Sequence, residues 1–290
     1  MKIQESELIL NKDGSVYHLH LLPEQLANTI ITVGDPDRVS SVSKYFDSIE
    51  VKIQNRELVT HTGMLKGKRI SCISTGMGTD NIDIVMNELD ALVNIDLEKR
   101  EAKDNLTSLN IIRIGTSGSL QKEIPIDSFL ISSHGMGLDG LIHFYANSEN
   151  KREIDIEKAF LQQILWNENK PKPYCIKASE TLFNLINSDK TFSGITATAS
   201  GFYGPQGRIL RLQPESTNIN DELGNFNFKD LKITNFEMET AGIYGMAKLL
   251  GHNALSCNCI IANRPLGQFS KNPSQKVAEL IEYVLEKVSG

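Results

Sequence analysis

Asn235-Phe236-Glu237-Met238-Glu239-Thr240-Ala241 marks a strand-to-helix junction. Before it runs the short β-rich stretch Leu231-Lys232-Ile233-Thr234, and after it residues 241–251 read as helix. Two carboxylates one residue apart therefore sit where open α/β sheets place their ligands. In extended backbone, residues i and i+2 face the same way, so Glu237 and Glu239 can converge on one polyol. An ionised carboxylate only accepts hydrogen bonds, which suits vicinal hydroxyls. The same spacing also suits a solvated helix start, because acids favour the positive end of the helix dipole. Neighbouring segments weigh between the two.

Upstream, Thr29-Ile30-Ile31-Thr32-Val33 is a β-branched strand, ended by Gly34-Asp35-Pro36-Asp37-Arg38 and followed by a helix bearing Val39, Val42 and Phe46. Residues 51–60 and 69–75 read as further strands, and His18 and His20 alternate on another. An amphipathic helix capped by Asp80 or Asn81 carries Ile82, Val85, Met86, Leu89, Leu92 and Val93 on one face. Residues 109–114 form a strand ending in Gly115-Thr116-Ser117-Gly118-Ser119, and residues 96–108 form a charged surface excursion. Helices are expected over 158–166 and 179–186, and strands over 128–133 and 194–198. A strand around Cys257 follows the junction, and a last helix enters at Asn272-Pro273. Strands alternate with helices and no linker or repeat interrupts them. The expected architecture is α/β: one domain over residues 1–290, a central mixed β-sheet flanked by helices.

The chain has 290 residues, with 30 Lys and Arg against 36 Asp and Glu. That mild acidity argues against nucleic acid and against a membrane surface as partners. An anionic ligand must then be drawn by local arginines. Cys72, Cys175, Cys257 and Cys259 show no metal spacing, and no His, Cys and acid cluster does either, so no metal is expected. The start lacks the build of a signal peptide, and no apolar run reaches membrane-spanning length. A reduced, cytoplasmic protein is expected.

Two side-chain sets carry chemistry. Arg38 lies at the mouth of the first helix, where backbone N–H groups favour anions, and Arg113 is embedded in an apolar strand. A buried guanidinium demands a partner, which can be an acid of the fold or a bound anion. Thr116 adds a hydroxyl and a backbone N–H. The second set is Phe202, Gln206 and Arg208, an aromatic face, an amide and a guanidinium within seven residues. Gln supplies a donor and an acceptor and Arg supplies donors, which fits a flat heterocycle with N–H beside C=O. Gly76-Met77-Gly78 is too short for a dinucleotide fingerprint, and Ser117 lacks the spacing of a nucleophile elbow.

In order and number these motifs resemble the nucleoside phosphorylase-I family, and within it the uridine phosphorylases. The resemblance rests on residues 34–38, 113–118, 202–208 and 236–239, and it runs from about His18 to the last helix. It implies a phosphate site of Gly34, Arg38, Arg113 and Thr116, with Arg56 reaching the phosphate of a neighbouring subunit. It implies ribose contacts from Glu237, Met238, Glu239 and Thr116, with His18 crossing the same interface to the 5′-hydroxyl. Phe202, Gln206, Arg208 and Arg264 are then the base pocket. Purine-specific members carry a Ser-Asp pair where this chain has Asn263-Arg264. The implied activity is reversible phosphorolysis of uridine to uracil and ribose 1-phosphate, with Arg113, Gln206, Arg208 and Glu239 doing the catalytic work. Phosphate is a co-substrate, and no cofactor is implied. A homo-oligomer is implied, a dimer at least and a hexamer in relatives. Alternatives are a purine or broad-specificity phosphorylase and a non-catalytic nucleoside-binding protein.

Departures from the family pattern are also visible. The base loop reads Gly204-Pro205-Gln206-Gly207-Arg208 where relatives have Pro-Gly-Gln-Glu-Arg. Some relatives hold a monovalent cation through a Glu, compare Glu57, and a Ser, whose place here is Asn81.

Overall fold

Thr29–Val33, β1, is buried along almost its whole length, as an unbroken β-branched run requires of a central parallel strand. The computed structural model describes residues 2–290. The further strands are β2 (Ser48–Asn55), β3 (Leu58–Leu65), β4 (Lys68–Ser74), β5 (Ile95–Asp96), β6 (Glu101–Ala102) and β7 (Asn110–Ser119). Then come β8 (Phe129–Gly137), β9 (Tyr174–Lys177), β10 (Phe192–Thr198), β11 (Asn227–Phe228), β12 (Leu231–Glu237), β13 (Asn253–Asn263) and β14 (Gln268–Phe269). The α-helices are α1 (Pro36–Ser43), α2 (Thr79–Asn94), α3 (Ile154–Gln163), α4 (Glu180–Ile186), α5 (Ile219–Asn225), α6 (Thr240–Leu250) and α7 (Pro273–Ser289).

One mixed sheet runs β11-β12-β10-β8-β13-β7-β1-β4-β3-β2, with β9 on β8 and β14 on β13. β1 is parallel to both β4 and β7, and β13 is parallel to β7. β12 also pairs antiparallel with β7, Asn235 opposite Ser119 and Phe236 opposite Gly118. That pairing closes β7, β13, β8, β10 and β12 into a barrel, while β1, β4, β3 and β2 continue outward as an open wing. The helices flank it. On α7, Val277, Leu280, Ile281, Val284, Leu285 and Val288 are all buried, and on α2 the expected apolar face is buried except for Val93, which is half-buried. The α/β single domain with a mixed sheet is the observed architecture.

Local expectations needed correction in four places. The run 51–60 is two antiparallel strands, because the chain reverses at Asn55-Arg56-Glu57 with Arg56 in the left-handed region at φ 56. His18 and His20 lie in a turn, not a strand, and His20 has φ 55. Helix α2 begins at Thr79 behind Gly78, whose φ of 90 suits glycine alone, so neither Asp80 nor Asn81 caps it. Helix α3 starts and ends earlier than residues 158–166; Trp166 lies beyond it, donating from Nε1 to the Pro171 carbonyl at 2.9 Å.

Candidate active site

The carboxyl ends of β1, β7, β12 and β13 open onto one cavity of about 670 Å³. Its wall includes Gly34, Arg38, Arg113, Thr116, Phe202, Gln206, Arg208, Glu237, Met238 and Glu239. Side chains from segments far apart in sequence thus meet at one place.

Arg113 is the pivot. It is 6% exposed, and its guanidinium is held from three sides. Nη2 donates to Glu239 Oε2 at 2.6 Å and lies 3.2 Å from Glu237 Oε2, while Nη1 donates to Asn258 Oδ1 at 3.0 Å. Gly115 makes the room, because a Cβ there would collide with the guanidinium. Burial works against the charge of Arg113, yet Glu237 and Glu239 outweigh it, and the net result holds its pKa above the ordinary value.

Both acids of the junction therefore converge, but on Arg113. Glu237 also accepts from Thr198 Oγ1 at 2.7 Å and from the backbone N–H groups of Glu239 and Thr240 at 2.9 and 3.0 Å. It is 4% exposed, and these donors make it the anchor of the α6 start as much as a wall of the cavity. Glu239 is bound more lightly, by Arg113 and by the Gly78 N–H at 2.8 Å, which leaves lone pairs for hydroxyls.

Arg38 stands on α1, half-buried, with Nη1 3.4 Å from the Ile114 carbonyl. Burial lowers its pKa, and the like charge of Arg113 lowers it further. No carboxylate bonds its guanidinium among the described residues, so an anion beside Gly34 and Thr116 would relieve both costs.

The loop that carries Phe202, Gln206 and Arg208 is built differently. Gln206 is buried, with its backbone carbonyl accepting from Arg264 Nη2 at 2.9 Å and Asn220 Nδ2 at 3.2 Å. Arg208 Nη1 donates to Gln206 Oε1 at 2.6 Å and to the Phe202 carbonyl at 2.5 Å, and its guanidinium carbon sits 3.7 Å above the Phe202 ring centroid. Burial and then the charge of Arg264 bring the Arg208 pKa down to about 10. Gly207 adopts φ 67, and a Cβ there would lie 2.6 Å from Ile219 Cγ2, so α5 packs directly on the turn.

Three expected contacts lie off this wall. Arg264 supports Gln206 from behind. Arg56 is exposed at the β2–β3 turn, 6.0 Å from the Tyr17 ring centroid. His18 is held by Glu88, which accepts from its Nδ1 at 2.7 Å and its backbone N–H at 2.9 Å, and Asn55 Nδ2 donates to the His18 carbonyl at 2.8 Å. Arg56 and His18 thus share a surface patch beside Glu57, which does line the cavity.

Sequence reasoning missed Asn258, Ser256, Gly78 and Asn220. Asn258 carried a readable signal: a polar amide in the middle of an apolar strand, like Arg113 on the strand beside it. Among the described residues, no group of three or more His, Cys, Asp or Glu could hold a metal, and no helix is long and apolar enough to cross a membrane.

Comparison with known proteins places this geometry in a family. The phosphorylase superfamily pattern matches residues 28–289. A uridine phosphorylase of Thermococcus kodakarensis is 30% identical over 281 residues, 96% of this chain and 88% of the relative. A DeoD-type purine nucleoside phosphorylase of Buchnera aphidicola is 24% identical, covering 94% of this chain and 99% of the relative. The crystal structure of a Trypanosoma brucei nucleoside phosphorylase, described as showing uridine phosphorylase activity, superposes with a TM-score of 0.83 at 30% identity, covering 98% of this chain and all of that one. With its motifs in order on the ends of a shared sheet, the chain belongs to the phosphorylase superfamily, within the nucleoside phosphorylase-I family and beside the uridine phosphorylases.

Proposed function

We propose that this chain catalyses the reversible phosphorolysis of uridine to uracil and ribose 1-phosphate. One observation carries the choice of base. Gln206 and Arg208 stand at one end of the cavity with no carboxylate beside them, since the acids on the wall are Asp35, Glu57, Glu237 and Glu239. Asp35 caps α1, Glu57 follows the β2–β3 turn, and the other two bind Arg113. Arg264, where purine-specific relatives have an acid, carries a fixed cation and donates from Nη2 to the Gln206 carbonyl at 2.9 Å. A base that must leave protonated by a protein acid is poorly served there. A pyrimidine leaving as an anion delocalised over its carbonyls is well served by Arg208 and the Gln206 amide.

At the other end, phosphate beside Arg38, Thr116 and Arg113 attacks the anomeric carbon as the base departs. Phosphate and Glu239 share the developing positive charge of the sugar, and Glu239 and Met238 hold the ribose. No protein nucleophile is needed; positioning and fixed charge do the work. Arg38, Arg113, Glu237 and Glu239 sum to zero charge, so a phosphate dianion calls for a further cation. Arg56 on a neighbouring protomer is suited to supply it, with His18 beside it for the ribose, which makes a dimer the minimal active unit.

The test is a panel of uridine, thymidine, inosine and adenosine with and without phosphate. Phosphate-dependent cleavage of uridine is expected. Faster cleavage of inosine, or undiminished turnover in phosphate-free buffer, would overturn the reading.

A further inference from the structure

The interior of the barrel carries a belt of polar side chains, one from each strand in spatial order and two from β7. Arg113 on β7 donates from Nη1 to Asn258 Oδ1 on β13 at 3.0 Å. Asn258 Nδ2 reaches Ser132 Oγ on β8 at 3.2 Å, and Ser132 Oγ lies 2.5 Å from Thr196 Oγ1 on β10. Thr196 Oγ1 is 2.8 Å from Asn235 Oδ1 on β12, and Asn235 Nδ2 is 2.9 Å from Ser117 Oγ, back on β7. The four in the middle are fully buried, and Arg113 and Ser117 are each 6% exposed. Ser117 lines the cavity.

Proton bookkeeping gives the belt one direction. A guanidinium has no acceptor, so Asn258 must present Oδ1 to Arg113 and its amide protons to Ser132. Ser132 then accepts from Asn258, and its own proton has only Thr196 to go to. Thr196 donates onward to Asn235 Oδ1, and the Asn235 amide donates to Ser117 Oγ. The reverse order would leave the Ser132 proton without an acceptor in a dry interior, which is costly. At the end of the line Ser117 accepts from Asn235, and its hydroxyl proton is left for the cavity. Each donor is polarised by the one before it, starting from a full positive charge.

We infer that Ser117 donates a hydrogen bond to an acceptor oxygen of the bound nucleoside, and that Asn258, Ser132, Thr196 and Asn235 are positioning residues that fix this donation. The inference rests on a nucleoside occupying the cavity, as proposed above. Its place favours the base side: Gly118, the next residue, packs on Arg264, whose Cδ and Cγ lie 3.4 Å from where a Cβ would stand. The acceptor class is therefore a base carbonyl or a sugar oxygen next to it.

A double-mutant cycle tests the belt. Ser117→Ala should lower kcat/KM for the nucleoside by roughly 3- to 10-fold. Thr196→Val keeps the shape of a buried side chain that never touches the cavity, and breaks the belt midway. It should cost about 2- to 5-fold in the wild-type background and nothing further in the Ser117→Ala background, since the two then act through one proton. Effects that multiply independently, or a Ser117→Ala enzyme with unchanged kcat/KM, would overturn the inference. Thermal melting checks the fold, and Ser132→Ala removes the same link if Thr196→Val does not fold. Should uridine not be cleaved, the cycle is read on the dissociation constant of whichever panel nucleoside binds, so the belt and the uridine reading fail separately.

Discussion

The cavity holds two guanidinium groups on its wall, Arg113 and Arg208, in opposite ways. Arg113 comes from a central strand, is nearly inaccessible, and is fixed by two carboxylates and an amide from β12, the α6 start and β13. Arg208 comes from a loop, is half-buried, and is fixed by its own neighbours Gln206 and Phe202. One is held by the fold and the other by its local sequence. The physical consequence is that the Arg113 end is preorganised at the expense of tolerance, whereas the Arg208 end can adapt to what it binds.

The sharpest way to break this contrast is to remove each arginine. Arg113→Ala should lower phosphorolysis by about 10²–10³-fold. It should also destabilise the protein by about 3–5 kcal/mol, because Glu237 and Glu239 are left buried without their cation. Chemical denaturation and kinetics on one preparation check both parts; an unaltered stability would mean the acids find other partners. Gly115→Ala tests the same end by geometry alone. Its Cβ displaces the guanidinium, and a misplacement near 1 Å can cost about 10²-fold. Ordinary activity in that variant would show that Arg113 has a second productive position.

Arg208→Ala should raise KM for the nucleoside by about 10-fold with little change in KM for phosphate and in melting temperature. Equal changes in both constants would mean the loop serves both ends. A further effect bears on stability alone and concerns β8, at a residue that does not line the cavity. His134 on β8 is buried, and burial, followed by the charges of Lys177 and Lys248, brings its pKa down to about 4. It stays neutral in the folded protein while the unfolded chain gains a proton below its ordinary value, so stability is full above that value and falls as pH drops towards 4. The loss should be on the order of 2–3 kcal/mol, and His134→Gln should flatten it in melting curves taken from pH 7 to 4.

Much of the fold was legible where one periodicity ruled a segment. The last helix, the apolar face of α2 and the strand at β1 follow from repeats of buried positions that local sequence carries in full. Three of the four errors fell where a single backbone dihedral decided the outcome. Arg56 at φ 56 splits one apparent strand into a hairpin, and nothing in its side chain announces that, because a non-glycine residue seldom adopts it. The polar residues at strand ends were legible because polar and charged side chains beside glycines in apolar surroundings stand out without knowledge of their neighbours. Glu237 was legible as an acid but not as the anchor of Arg113 and α6, since its donors lie on three separate elements.

Sequence alone therefore determined the alternation of strands and helices, the glycine loops at the strand ends, and most of the residue types that line the cavity. Tertiary structure decided the rest: the closure of β12 onto β7, the meeting of Arg113 with partners 126 and 145 residues away, and the one-way belt inside the barrel. The reason is register. Which side chains meet across a sheet depends on how non-adjacent strands align, and the pattern within one strand carries no record of its neighbour's alignment.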